Sequence, residues 1–479
     1  MDLQVDIRGT RRLADQIHSQ LRDAIRSGCI SDGQQLPPSR LLANQLGVSR
    51  KTITQAYAKL TIDRLIDTHV GAGTLVSARM PHRPRPFAQA ELAGGANIRR
   101  WQSAQTPPRH PVPEARLRYE FISGAMSKRL FPEAEWRQCA LHGLRRSSAQ
   151  RAVYAEPEGL LVLREAVSRH IGYCRGVNCG PDDLVITSGA QQALDLIARV
   201  LVAPGSVVAM EDPGYPLAHM LLEAQQAHVV SVPVDSEGIC VDLIPDATRL
   251  IYTTPTHQFP LGMPMSQARR HALLARAREL GAVVVEDDYD SEFRYEKGTL
   301  EPLKTLDQRG LVVYIGTFSM SLSPDLRLGY AAVASPALRT ALMNAKHLCD
   351  GHTPTMLQLA LARFLNEGHL LKHIRHCHDV FTERRGRILA RLSGDLAPWL
   401  EPLPASAGYH VAVMFCRPMQ SLQLCQLARR VEVGLYPLDD CYRLPQGRSG
   451  LLLGFGDIEA EDIDPALDRV RAVLEELAG

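Results

Sequence analysis

Nothing in this sequence approaches the roughly 18 uninterrupted apolar residues that a membrane-spanning helix needs, so no membrane span is predicted. The polar, amphipathic start MDLQVDIRGTRRLADQI lacks an apolar core followed by a small-residue cleavage site, so no secretion signal is expected and a cytoplasmic location is. Cysteines number ten but never form a Cys-x-x-Cys pair; they read as buried apolar residues, and no disulfide is predicted. Net charge is nearly absent as well, +2 over 479 residues, so any affinity for nucleic acid must come from a local patch.

That patch is present. Between residues 8 and 51 stand Arg8, Arg11, Arg12, Arg22, Arg26, Arg40, Arg50 and Lys51, against Asp15, Asp23 and Asp32. Hydrophobic residues at 45% and charged residues at 22% describe a chain able to bury two or three sizeable cores. Two donor-rich stretches, KHLCDGH at Lys346–His352 and KHIRHCH at Lys372–His378, suggest metal ligands. Yet His373, His376 and Cys377 lie in an arginine-flanked helical stretch with no carboxylate set, so a solvated helix face is expected there and no metal site.

Pattern divides the chain into three zones, with expected boundaries at 1–78, 79–118 and 119–479. The first is helical and arginine-rich and ends in the glycine-punctuated HVGAGTLV. The second holds Pro81, Pro84, Pro86, Pro107, Pro108, Pro111 and Pro113 and reads as a linker without long helices. In the third, short apolar runs alternate with amphipathic stretches: DLVITSG, ALDLIARVL, SVVAMED, YPLAHMLLEA, RLIYTTP, MSQARRHALLARAREL, AVVVEDD and LVVYIGTFS. Strands separated by helices predict a mainly parallel sheet covered on both faces, followed by a smaller α+β lobe containing VAVMFC and GLLLGF.

In the first zone, Leu13, Ile17, Leu21, Ala24 and Ile25 have helical spacing. In LPPSRLLANQLGVSRKTITQAYAKL, Ser39 can cap a short helix carrying Leu41, Leu42 and Leu46, Gly47 permits a tight turn, and Ser49 caps a second helix. This is a helix-turn-helix pattern. The second helix offers Ser49, Arg50, Lys51, Thr52 and Thr54 at its start and Ile53, Ala56, Tyr57 and Leu60 to a core, the arrangement that a major groove requires. LIDTHVGAGTLV reads as a two-stranded wing around Gly71 and Gly73. The segment resembles the winged-helix domain of the GntR superfamily, which implies contacts to double-stranded operator DNA from Arg40, Arg50, Lys51, Thr52 and the wing. One departure is Arg64, where that family usually has glycine.

Further on, ITSGAQQALDLIARVL places a glycine turn between a strand and a helix, where backbone N–H groups and the helix dipole can receive an anion. VVVEDDYDSEFRY ends a strand with Asp287 and Tyr289, and VVYIGTFSMSLSPDLRLGY ends another with Thr317, Ser319 and Arg327. All lie at carboxyl ends of parallel strands, where α/β sheets bind ligands. Together the motifs resemble the large domain of fold-type I pyridoxal-phosphate enzymes. With the first zone, nearly the whole chain resembles the MocR/GabR regulators through EDPGY at Glu211–Tyr215, TPTHQFPLG at Thr254–Gly262, EDDYDSEFRY at Glu286–Tyr295 and GTFSMSLSPDLRLGY at Gly316–Tyr330.

The resemblance implies a ligand-responsive transcription regulator, generally a head-to-tail homodimer, that joins a winged helix to an aminotransferase-like domain. It places the pyridoxal 5′-phosphate phosphate on Gly189, Ala190 and Gln191 with Thr317, Ser319 and Arg327. It puts Tyr215 against the pyridine ring, Asp287 at the ring nitrogen, and Tyr289 with Gln258 at the ring oxygen. The family motif reads GTFSK, its lysine forming a Schiff base with the cofactor aldehyde, but here that position is Met320. A thioether forms no imine and moves no proton, so non-covalent binding without transamination is expected. The rival reading, a working aminotransferase that carries a DNA-binding domain, has Met320 against it. In the GABA-sensing member an arginine after GLYPL grips the effector carboxylate; here that place holds Asp440, so an effector with a cationic group at that end, or a different molecule altogether, is expected in place of GABA, unless the nearby Arg443 or Arg448 takes over the role.

Overall fold

The computed structural model describes residues 12–69, 73–77, 95–103, 117–148, 153–290, 292–295, 301–444 and 449–478. The chain forms two compact units, residues 1–95 and 96–479.

In the first unit, the helix Leu13–Arg26 turns Ile17, Leu21 and Ile25 into the core, as four-residue spacing requires. The helix Ser39–Leu46 stops at Gly47, whose φ of 64° costs a glycine little. Ser39 does not cap this helix: Pro38 holds the cap position with extended backbone, and Ser39 is the first helical residue. Leu41 departs from the expected apolar face and is exposed. The next helix, Arg50–Ile62, is capped by the Ser49 hydroxyl, which accepts from the Thr52 N–H at 3.1 Å. It buries Ile53, Ala56, Tyr57 and Leu60. Antiparallel strands Ile66–His69 and Gly73–Val76 form the wing, His69 opposite Gly73, and Gln35–Leu36 pairs with the second of them.

The second unit is built on an eight-stranded sheet. Its order is Leu184–Thr187, Gly329–Val333, Val312–Thr317, Val283–Asp288, Thr248–Thr253, Val207–Asp212, His228–Asp235 and Gly238–Ile239. The central pairs are parallel. Gly329–Val333 runs antiparallel to both neighbours, because it follows its predecessor through a loop that reverses the chain and not through a crossover helix. Successive residues serve opposite faces: Val208, Val285 and Val313 join one cluster with Leu194 and Ile197, while Ala209, Val284 and Val312 join another with Leu273 and Ala277. The helices Ala190–Leu201, Pro216–Ala224 and Gln267–Leu280 fall in the expected amphipathic stretches.

The smaller lobe holds a four-stranded antiparallel sheet that includes His410–Phe415 and Gly450–Gly454, with a long helix His369–Ser393 in its core cluster. On that helix His373 and Cys377 are buried, correcting the expectation of a solvated face; their four-residue spacing puts both on the packed side, while His376 is exposed. The cysteines divide likewise: Cys139, Cys377, Cys425 and Cys441 are buried, but Cys29, Cys349 and Cys416 are exposed. A short helix, Gly95–Ser103, occupies the proline-free interval between Pro86 and Pro107. Among the described residues no helix is long and apolar enough to cross a membrane.

Candidate functional site

On the first unit, Arg40, Ser49, Arg50 and Lys51 are exposed at the starts of the two helices of the turn, and no ion pair holds the three cations among the described residues. Thr52 is half-buried, its hydroxyl 2.8 Å from that of Ser49. Gly73 begins the second wing strand at φ 88°, and a Cβ there would lie 2.3 Å from the Gln35 amide nitrogen. Gly71 lies outside the described residues. Arg64, just past the Asp63 that caps the Arg50–Ile62 helix, has φ 57°, the left-handed region for which glycine is suited.

On the second unit, the sheet's strand ends carry a set of polar groups. Gly189 caps the helix Ala190–Leu201 at φ 84°, so the first N–H groups of that helix, including those of Ala190 and Gln191, have no side-chain cap. Arg327, also left-handed at φ 48°, lies beside it and donates to the Ser188 carbonyl at 3.1 Å. A Cβ on Gly189 would stand 3.0 Å from the Arg327 guanidinium, and one on Gly329 only 2.9 Å from Gly189 Cα, so glycine is needed at both places. The Thr317 hydroxyl accepts from the Ser319 N–H at 3.1 Å, while the Ser319 hydroxyl is buried without a partner among the described residues. Uncapped N–H groups, a hydroxyl without a partner and a guanidinium suit a phosphate dianion.

Asp287 is the penultimate residue of the strand Val283–Asp288. One of its oxygens accepts from the Tyr252 hydroxyl at 2.7 Å, and the other is buried without a partner. Burial pushes its carboxyl up to about 7, with Asp288 and Asp290 adding to the effect against the Tyr252 bond. A cationic ring N–H would supply the missing partner. Tyr215 meets Phe259 edge-on at 5.6 Å. Burial pushes its phenol up to about 12; Asp287 pushes the same way and Arg327 opposes. Tyr289 stacks on His257, with its hydroxyl 3.1 Å from the imidazole Nδ1.

Gln258 has a different place from the one expected at the ring oxygen. Its amide donates to the carbonyls of Pro213 and Phe259 at 2.8 and 2.7 Å and accepts from the Leu261 N–H at 3.0 Å, so it knits two loops together. Sequence reasoning overlooked its neighbour His257, although TPTHQFPLG contained it; nothing in the motif distinguished a structural amide from an imidazole beside Tyr289.

Met320 is half-buried, packs against the small-lobe core, and accepts a hydrogen bond from the Tyr409 hydroxyl through its sulfur at 3.2 Å. Among the described residues, the lysines that flank it in the sequence are engaged elsewhere: Lys304 donates to the Val312 carbonyl at 2.7 Å, and Lys346 pairs with Asp350 at 2.8 Å. Asp440 and Arg443 are exposed on the loop after Tyr436–Pro437. That loop is tied to the EDPGY strand end, since Asp212 accepts from the N–H groups of Arg443 and Leu444 at 2.6 and 3.2 Å. Although Asp440 is exposed as a residue, partial desolvation of its carboxyl raises it, helped by Asp439 and opposed by Arg443. Arg448 lies outside the described residues.

Residues 126–436 match the family described as aminotransferase class I and II, and residues 13–76 the gntR family of bacterial regulatory proteins. The chain is 30% identical over 466 residues to the uncharacterized HTH-type transcriptional regulator YdeL of Bacillus subtilis, covering 96% of each. It is also 30% identical over 466 residues to the probable rhizopine catabolism regulatory protein MocR of Rhizobium meliloti, covering 96% of this chain and 93% of that one. Among solved structures, Pyrococcus horikoshii kynurenine aminotransferase, in complex with PMP, superposes with a TM-score of 0.70 at 26% identity, over 82% of this chain and 96% of its own. The chain therefore belongs to the MocR-type HTH transcriptional regulators, in which a GntR-family DNA-binding domain is joined to a domain of the pyridoxal-phosphate-binding aminotransferase class I and II family.

Proposed function

We propose that this regulator holds pyridoxal phosphate non-covalently, responds to an amino compound in the same pocket, and catalyses no transamination. The single observation that supports the reading is that Asp287 and Ser319 keep buried polar atoms without partners among the described residues while Met320 follows Ser319 directly, where the family motif has lysine. Gly189, Ala190, Gln191, Ser319, Thr317 and Arg327 would hold the phosphate, Asp287 the ring nitrogen, Tyr215 the ring face and Tyr289 the ring oxygen. When bound, the cofactor would supply an aldehyde able to react reversibly with an amine. The protein's part is to fix its orientation and to keep Asp287 as the partner of the ring N–H. Met320 can accept a weak hydrogen bond and fill space, but its sulfur neither links to the aldehyde nor moves a proton.

The reading extends to the rest of the chain. Arg40, Ser49, Arg50, Lys51, Thr52 and the wing would contact operator DNA; residues 79–118 would link that domain to the effector domain at 119–479; and two copies would pair head-to-tail to address two half-sites. Asp440 and Arg443, tied to the EDPGY strand end through Asp212, would meet the effector. The test is an absorbance titration of the full chain with pyridoxal phosphate, followed by gel filtration. Saturable binding that is lost on gel filtration, with Asp287→Asn and Arg327→Ala each weakening it at least tenfold, supports the reading. A pyridoxyl adduct on a lysine of this pocket after borohydride treatment refutes it.

A further inference from the structure

Behind Tyr289 lies a polar group that the ligand cradle itself does not use. His257 and Asp290 are 2% and 1% exposed, and the two oxygens of Asp290 stand 2.8 and 3.0 Å from His257 Nδ1. That same nitrogen is the atom 3.1 Å from the Tyr289 hydroxyl. The imidazole cannot turn away. Its ring stacks on Tyr289 at 5.7 Å and meets the tilted ring of His410 at 4.7 Å, and a Cβ on Gly408 would lie 2.4 Å from its Cε1 and 2.2 Å from the Asp290 carboxyl. Two groups therefore compete for one ring nitrogen, which has room for a single proton.

We propose that Asp290, acting through His257 Nδ1, is a positioning residue that leaves the Tyr289 hydroxyl proton free to be donated to the ring oxygen of the bound pyridoxal phosphate. The inference rests on the cofactor site proposed above and adds to it two residues with no contact to the ligand. Burial pushes the Asp290 carboxyl up to about 8 and the His257 imidazole down to about 3, so both are neutral near pH 7. The acid proton of Asp290 then occupies Nδ1, and Tyr289 has nothing to donate to on that side. Should the proton sit on the imidazole instead, Nδ1–H donates to the carboxylate, with the same result for Tyr289. Without Asp290, the imidazole tautomer that carries its proton on Nε2 leaves the Nδ1 lone pair open, and the nearest donor is Tyr289 itself; in that tautomer its hydroxyl turns a lone pair towards the ligand oxygen and repels it.

The test compares the affinity of the full chain for pyridoxal phosphate and for its 3-deoxy analogue, which lacks the ring oxygen. The ratio of the two within one variant is insensitive to general loosening of the site. The unaltered chain should prefer pyridoxal phosphate roughly tenfold or more, and Tyr289→Phe should lose that preference. Asp290→Leu and Asp290→Ala should lose it too, the second serving if the first does not fold. Asp290→Asn, whose amide N–H can still donate to Nδ1, should keep it. Asp290→Ala combined with His257→Phe should regain it, because the competing acceptor has gone. Full preference in Asp290→Ala, or no recovery in the double variant, overturns the inference. An unaltered chain that binds both ligands equally overturns it while the cofactor site stands, whereas one that binds neither refutes the site as well.

Discussion

The Tyr409 hydroxyl donates to the Met320 sulfur across 3.2 Å, at the turn that follows the strand Val312–Thr317. Tyr409 is buried and fixed in the small-lobe core, so a side chain of similar length at position 320 would meet the same hydroxyl. Met320→Lys should place an amine in the pocket, and borohydride treatment with pyridoxal phosphate should then give a pyridoxyl adduct on that residue. The unaltered chain should give none on any lysine of the pocket, and its transaminase turnover should remain at background. Mass analysis decides: in the unaltered chain, an adduct on any lysine of this pocket ends the non-covalent reading.

Arg64 stands at φ 57°, where an L-residue loses about 1–2 kcal/mol to contact between its Cβ and the following carbonyl. Glycine relieves that contact but has more freedom to lose on folding, so Arg64→Gly should stabilise the domain by about 0.5–1 kcal/mol net. Arg64→Val should destabilise it. Hydrogen exchange in the helix Arg50–Ile62 reads the difference, with protection expected to rise about two- to fivefold in the glycine variant. Reduced protection there would show that Arg64 makes a contact worth more than its strain.

Arg50 and Lys51 are exposed at the N-terminal end of that helix, where cations serve phosphates and base edges. Replacing both by Ala should weaken operator binding. If each neutralises one phosphate, the slope of log affinity against log salt should become shallower by about 0.9 per residue. Gel-shift titrations at several salt concentrations measure both effects, and an unchanged slope would move the contact elsewhere on the domain.

Much of this was legible in the sequence because the informative signals are local. Apolar runs such as VVVEDD and LVVYIGT announced buried strands, and each proved to be one. The Ser49 cap and the Gly47 turn follow from two or three neighbouring residues. What the sequence did not show depends on contacts between distant segments. The antiparallel strand Gly329–Val333 carries the same apolar signal as its parallel neighbours, because direction is set by the connection and not by composition. Gln258 read as a ligand residue, yet its partners Pro213 and Leu261 sit in loops whose meeting only the fold reveals. His257, Asp290 and His410 are spread over 153 positions and say nothing of one another until the small lobe closes on the sheet.

The buried carboxyls make the unliganded protein sensitive to alkali in a defined window. Burial pushes Asp287 and Glu286 up to about 7 and Asp290 and Glu292 up to about 8, against ordinary values near 4. Each keeps in the folded chain a proton that it releases on unfolding, so stability is greatest below pH 4 for these groups and is lost as pH rises through 7 and 8. The slope is up to about 1.4 kcal/mol per pH unit for each group. Buried histidines act oppositely: His257 and His410 are pushed down to about 3, and His170 and His373 to about 4, so their contribution is lost as pH falls below 6.5. The two trends oppose each other up to pH 6.5, and above it the carboxyls act alone. The urea midpoint of the unliganded chain should therefore fall between pH 6.5 and 8. Asp287→Asn, which cannot ionise, should flatten that fall. Saturating pyridoxal phosphate should flatten it in the unaltered chain as well, because a cationic ring N–H beside Asp287 favours the carboxylate and lowers its pKa. In Asp287→Asn the ligand should produce no further flattening. A midpoint that rises from pH 6.5 to 8 in the unaltered chain would show that these carboxyls are already ionised in the folded state, and Asp287 would then need a cation other than the cofactor's ring.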